Sequence, residues 1–174
     1  MDGTDPNTAA VDSEPRLLPG HTADCFGCGN ENSSGFHLEV WRTGDEIYTD
    51  FAFDERYIGG PGLAHGGAIA GVCDELLGFT VWLIGTPAVT RALTIDYLAP
   101  VPLHDTHRIT AKVDGEKGRA IHVSAEGTSS SGKLSFTASG IYMRVPFEHF
   151  DGFGTLATPA DELKEKLAQE SGRA

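Results

Sequence analysis

Three observations predict an α+β fold in which an antiparallel sheet wraps one long central helix. Residues 66–84 are apolar on nearly every helical face, and such a helix has to be hidden on all sides. The flanking segments alternate apolar and polar residues with period two, as half-buried strands do. Their connections are of hairpin length, which makes neighbouring strands antiparallel. The predicted order is two strands, the helix, then four strands.

Each element has its own signal. Residues 1–20 are rich in Asp, Thr and Pro and are expected to form a disordered tail. Residues 36–43 and 46–53 read as a hairpin turning at Gly44-Asp45. The helix is expected from about Gly66 to about Ile84, stopped by Gly85 and Pro87. In residues 89–98 alternation puts Val89, Leu93, Ile95 and Tyr97 on one face. Strands follow at 107–114 (Ile109, Ala111, Val113), at 119–128 (Ile121, Val123, Ala125) and at 133–146. Residues 159–169 carry Leu163 and Leu167 at i, i+4 and read as a surface helix in a C-terminal extension, 151–174, beyond a domain spanning 21–150.

Composition narrows the function classes. With 174 residues the chain has room for one domain with a real core. A net charge of −12 disfavours nucleic acid, which binds basic faces. Three cysteines do not make a disulfide framework. No apolar run approaches the ~20 residues of a membrane helix. The polar, acidic N-terminus is unlike a signal peptide, so the expected compartment is the cytoplasm.

The most informative stretch is residues 59–78, GGPGLAHGGAIAGVCDELLG. Asp74 lies in the middle of the apolar helix, and burying a lone carboxylate costs several kcal/mol, roughly. Its helical neighbours are small: Ala70 at i−4, Gly71 at i−3, Gly78 at i+4. Each glycine costs a helix about 1 kcal/mol against alanine. Those costs make sense if a ligand fits beside the carboxylate. His65-Gly66-Gly67 opens the helix, where free backbone N–H groups can polarise a ligand carbonyl. Asp74 then supplies a nucleophile or general base. The bland alternative is a Gly-rich cap with an incidental carboxylate. Glu75 is about 100° round the helix and reads as structural or supporting. Gly60-Pro61-Gly62 is no dinucleotide fingerprint, no P-loop follows, and no GxSxG elbow occurs.

Other candidates are weaker. Cys25-Phe26-Gly27-Cys28 is a single CxxC; zinc would need two more ligands, and His21 and His37 are the nearest histidines. A tight turn with buried thiols is the preferred reading, with no metal. Cys73 reads as a buried thiol rather than a nucleophile. Arg91, Lys112, Lys117, Arg119 and Arg144 lie in or beside strands and could meet a phosphate. Each alone is more ordinarily a solvated charge, and Arg119, in a Gly118-Arg119 hairpin, is the most plausible of them.

These residues resemble the PaaI-type hotdog-fold acyl-CoA thioesterases over about residues 25–145. The resemblance rests on His65-Gly66-Gly67 with Asp74 nine positions on, then Gly78. It also rests on Leu93-x-Ile95-x-Tyr97-Leu98-x-Pro100-x-Pro102, the Cys25-Phe26-Gly27-Cys28-Gly29 segment and the Gly118-Arg119 hairpin. It implies a hotdog fold and hydrolysis of acyl-CoA to free acid and CoA, with no cofactor, in fatty acid metabolism. Asp74 would be the catalytic carboxylate, the Gly66 N–H the oxyanion hole, and His65 an orienting group. Thr90, sixteen positions after Asp74, would position water. Gly67, Ala70, Gly71, Gly78, Lys117 and Arg119 would meet the substrate. In some members an asparagine stands where this chain has Gly59, so that water-holding role lacks support here. The family is dimeric with interfacial sites, which implies a homodimer or a dimer of dimers, with Thr90 acting across the interface. Two alternatives stay open: a 3-hydroxyacyl-thioester dehydratase or hydratase using His65 with Asp74 or Glu75, and a non-catalytic acyl-CoA-binding module.

Overall fold

The computed structural model describes residues 14–150, 153 and 160–172. Its elements are β1 (Arg16–Leu17), β2 (Trp41–Thr43), β3 (Glu46–Ala52), α1 (Gly66–Ile84), β4 (Ala88–Tyr97), β5 (Thr106–Lys117), β6 (Ala120–Thr128), β7 (Leu134–Arg144) and α2 (Ala160–Glu170). Short 3-10 turns at Glu55–Tyr57 and Phe147–Phe150 complete them. The strands form one antiparallel sheet in the order β1-β2-β3-β5-β6-β7-β4.

Helix α1 runs between the expected ends. His65 caps its start: the ring Nδ1 accepts from the Gly67 N–H at 2.9 Å. Gly85 ends it at φ 67°, a left-handed conformation that glycine adopts freely. Ile69, Val72, Cys73, Leu76, Leu77 and Phe79 of α1 are buried, and the Phe79 ring packs on His21 of the N-terminal loop. From the sheet, Ile47, Ile109, Ile121, Val123, Phe136 and Tyr142 join them in one core.

Four expectations change. Residues 1–13 of the expected tail lie outside the described residues, but residues 16 and 17 pair with β2 and Leu18 is buried, so the domain begins earlier than 21. The strand expected over 36–43 shortens to Trp41–Thr43. Upstream of it the backbone turns away from the sheet: the Phe36 and Leu38 N–H groups donate to the Phe26 and Gly27 carbonyls. Strict alternation in β4 fails at a bulge between Thr90 and Ala92, so Thr90 and not Val89 shares the inner face with Leu93. Finally, α2 is more than a surface helix. Leu167 is buried, Leu163 packs on the core, and Arg16 and Arg42 tie its end to the sheet through Glu170.

Candidate active site

Two side chains hold Asp74, one from each of two adjacent strands. Thr90 Oγ1 donates to Asp74 Oδ1 at 2.9 Å from β4. The Tyr142 hydroxyl of β7 lies 2.8 Å from the same Oδ1 and 2.7 Å from the Asp74 backbone carbonyl. Thr90 and Tyr142 are register partners, so the sheet presents them together. The β4 bulge supplies the phase: counting back from Leu93 without it would aim Arg91 at the helix and Thr90 away. Burial and the neighbouring Asp74 charge push the Tyr142 phenol well above its ordinary range, so it stays a donor. Both donors converge on Oδ1. Oδ2 carries no hydrogen bond among the described residues and is left for chemistry.

Asp74 lines a cavity of about 420 Å³ with Gly78, Val89, Thr90 and Tyr142, covered by Leu163 and Leu167 of α2. A Cβ at Gly78 would meet nothing nearer than Tyr142 at 3.9 Å, so the space beside the carboxylate is open there, as expected. The other small neighbours differ. A Cβ at Gly71 would fall 2.8 Å from the Phe36 ring, so this glycine admits a core aromatic and not a ligand. Ala70 lines neither this cavity nor the one at the helix start. Cys73 is a buried thiol, as expected; burial and then the Asp74 charge push it up to about 12.

The start of α1 lines a second cavity of about 430 Å³, shared by Gly66, Ile69, Tyr97 and Leu98. The Gly66 N–H has no partner among the described residues, whereas His65 takes that of Gly67. Gly67 is therefore part of the cap and offers no N–H to substrate. Tyr97 pins this turn by donating to the Gly66 carbonyl at 2.7 Å. A Cβ at Gly59 would sit 2.7 Å from His65 Cα, so no larger residue fits at that position beside this loop.

Distance corrects the single-chain picture. Gly66 and Asp74 are eight residues apart on one helix, about 12 Å along its axis. Within one chain they cannot act on the same carbonyl. The Thr90–Asp74 contact is made within one chain. Lys117 and Arg119 line neither cavity, and the Arg119 guanidinium donates to the Arg144 carbonyl at 3.0 and 3.1 Å.

Reading the sequence missed Tyr142, the covering residues of α2, and the surroundings of Glu75. Inward alternation marks Tyr142 as buried, but only strand pairing puts it opposite Thr90. Glu75 lies beside His21 and the CxxC, with His21 Nδ1 3.0 Å from Oε1 and Cys25 Sγ 3.6 Å from it. The exposed His37 is not part of this group.

A long helix wrapped by an antiparallel sheet, carrying a held carboxylate and an unpaired N–H at its start, defines a hotdog domain. The Thioesterase superfamily model matches residues 61–136, the segment that holds both groups. Over that segment the chain is similar to the superfamily. It is 32% identical over 126 residues to acyl-coenzyme A thioesterase THEM4 of Bos taurus, covering 71% of this chain and 52% of that protein. The chain thus spans about half the length of this curated relative. The Escherichia coli PaaI protein from the phenylacetic acid degradation operon superposes with TM-score 0.61 at 21% identity, covering 67% of this chain and 88% of that one. The smu.793 protein of Streptococcus mutans, solved bound to acetyl CoA, superposes with TM-score 0.56 at 23% identity, covering 58% and 82%. No helix among the described residues is long and apolar enough to cross a membrane.

Proposed function

We propose that this chain is an acyl-CoA thioesterase that hydrolyses an acyl-CoA to a free carboxylic acid and CoA. The observation that carries the reading is Asp74, with both of its donors on Oδ1 and Oδ2 left over beside an open cavity. A thioester is already activated, so a carboxylate and an oxyanion donor suffice to open it. Asp74 attacks the carbonyl carbon or takes a proton from the attacking water. The Gly66 N–H receives the charge that develops on the carbonyl oxygen. THEM4 is named as an acyl-CoA thioesterase and smu.793 holds acetyl CoA, which supports the same substrate class here.

The 12 Å between Gly66 and Asp74 supports a homodimer in which each site takes one group from each chain. The edge strand β4 supports it too: among the described residues its ten residues have one hydrogen-bonded neighbour strand, β7, and an edge of that length invites pairing. The dehydratase alternative needs His65 with Asp74 or Glu75 as an acid–base pair. Against it, His65 Nδ1 is spent on the cap, and Glu75 faces His21 and Cys25.

The test is release of free thiol from a panel of acyl-CoAs, acetyl to palmitoyl with phenylacetyl and benzoyl, by wild type and Asp74→Asn. Asparagine keeps an acceptor for Thr90 and Tyr142, so the fold should survive. Turnover of at least one substrate by wild type, with a loss of about 10²-fold or more in the variant, is expected. Near-normal kcat in Asp74→Asn would remove Asp74 from the mechanism. Failure of wild type on every substrate would point to the dehydratase or binding-module readings.

A further inference from the structure

We propose that His21, Cys25, Cys28 and Glu75 form a four-ligand zinc site that fastens the N-terminal loop to α1 beside the Asp74 cavity. One donor atom from each of the four lies within 4.8 Å of every other. Individual separations are 3.0 Å for His21 Nδ1 to Glu75 Oε1, 3.5 Å for Cys28 Sγ to His21 Nδ1 and 3.6 Å for Cys25 Sγ to Glu75 Oε1. Zinc bonds of ~2.0 Å to nitrogen or oxygen and ~2.3 Å to sulfur give a tetrahedron with edges of about 3.3–3.8 Å. These three separations lie within a few tenths of an ångström of such edges, and every other pair lies within 4.8 Å.

The surrounding backbone is built to bring them together. The Cys25–Gly29 turn closes with the Gly29 N–H donating to the Cys25 carbonyl at 3.0 Å. A Cβ at Gly29 would lie 2.4 Å from the Cys25 nitrogen, and one at Gly27 would lie 2.1 Å from the Glu75 carboxyl carbon. Only glycine at both positions lets the loop reach Glu75. The His21 N–H donates to Cys28 Sγ at 3.2 Å, the kind of outer contact that orients a metal-bound thiolate.

The loop also needs a tie. Between the buried Leu18 and Phe36, only Gly27, Gly29 and Gly35 are buried. Hydrophobic anchoring of this stretch is slight: its one large apolar residue, Phe26, is 56% exposed and meets the Phe36 ring edge-on at 5.0 Å, and Cys28 packs partly buried on the core. A loop of that length with no regular structure and so little apolar burial is uncommon in a compact domain. A metal closing it onto α1 supplies an anchor. Two thiolates with one imidazole and one carboxylate suit zinc over the harder cations. Four protein ligands close the shell, so the ion holds structure rather than substrate. Binding releases the two thiol protons to solvent. His21 and Thr22 line the Asp74 cavity, so the same ion would fix one wall of the catalytic site. This departs from the metal-free expectation drawn from a lone CxxC.

The test is elemental analysis and native mass spectrometry of the full chain, purified reduced and without a histidine tag, then cobalt(II) reconstitution. One zinc per chain is expected, with at least a tenfold loss of bound metal in Cys25→Ser/Cys28→Ser. The cobalt form of wild type should show thiolate-to-metal charge transfer and the intense ligand-field bands of tetrahedral coordination. That spectrum needs no variant, so a misfolded double serine chain leaves the test standing. Reduced protein that takes up no zinc, a resting Cys25–Cys28 disulfide, or cobalt without thiolate bands would each overturn the proposal. None of these readings depends on thioester turnover.

Discussion

The hydroxyl of Thr90 and that of Tyr142 do different work on the same oxygen. Tyr142 bridges Oδ1 and the backbone carbonyl of Asp74, so it fixes the side chain relative to the helix. Thr90 reaches the Asp74 carboxylate and not its backbone carbonyl, and both it and Asp74 line the cavity. Tyr142→Phe should therefore cost stability as well as rate, on the order of 1–2 kcal/mol for the one donor lost from a mostly buried site. Thr90→Val should hold thermal stability to within about 1 kcal/mol yet lower kcat by roughly tenfold, while Thr90→Ser restores most of it. Melting curves beside thiol-release kinetics separate the two roles. Equal stability losses in Thr90→Val and Tyr142→Phe with unchanged kcat would leave Thr90 a packing residue.

On the scale of elements, the glycines of α1 divide by what stands next to them, and sequence spacing alone cannot divide them. Gly71 and Gly78 both look like room for a ligand when counted from Asp74. A Cβ on Gly71 would stand 2.8 Å from the Phe36 ring, while one on Gly78 would meet nothing nearer than 3.9 Å. Gly78→Ala should stabilise the protein by up to about 1 kcal/mol through helix propensity. Gly71→Ala gains the same propensity but overpacks a buried ring, a cost of about 1–3 kcal/mol, so it should come out destabilised. Denaturant midpoints with opposite signs check the pair; a stabilised Gly71→Ala would mean that Phe36 moves freely. The ends of α1 and the four strands after it were legible because periodicity, a cap and Gly85 are local signals. The β4 bulge, the Thr90–Tyr142 pairing and the docking of α2 were not. Each depends on partners far along the chain. The CxxC shows the same limit: its neighbours in sequence suggest a turn, and Glu75 joins it only through the fold.

For the whole molecule, the decisive feature is that one helix carries both proposed catalytic groups, about 12 Å apart along its axis and too far apart to cooperate within one chain. A two-fold dimer resolves this if Asp74 of one chain meets Gly66 of the other, giving two equivalent sites. The Gly66 donor can be deleted on its own. Gly66 is the first residue of α1, where proline is well tolerated, and His65 already has the extended ψ of 134° that precedes proline. Gly66→Ala is the matched control, since it keeps the N–H and brings a Cβ to the same Tyr97 hydroxyl, 3.1 Å away. Gly66→Pro should lose about 10²–10³ in kcat and Gly66→Ala far less. Mixing inactive Asp74→Asn with inactive Gly66→Pro, after unfolding and refolding together, then reads the site's composition. If sites are shared, each heterodimer collects both defects in one site and leaves the other intact. Random pairing makes half the dimers mixed, so about a quarter of wild-type activity returns. If each chain builds its own site, every site keeps one defect and nothing returns.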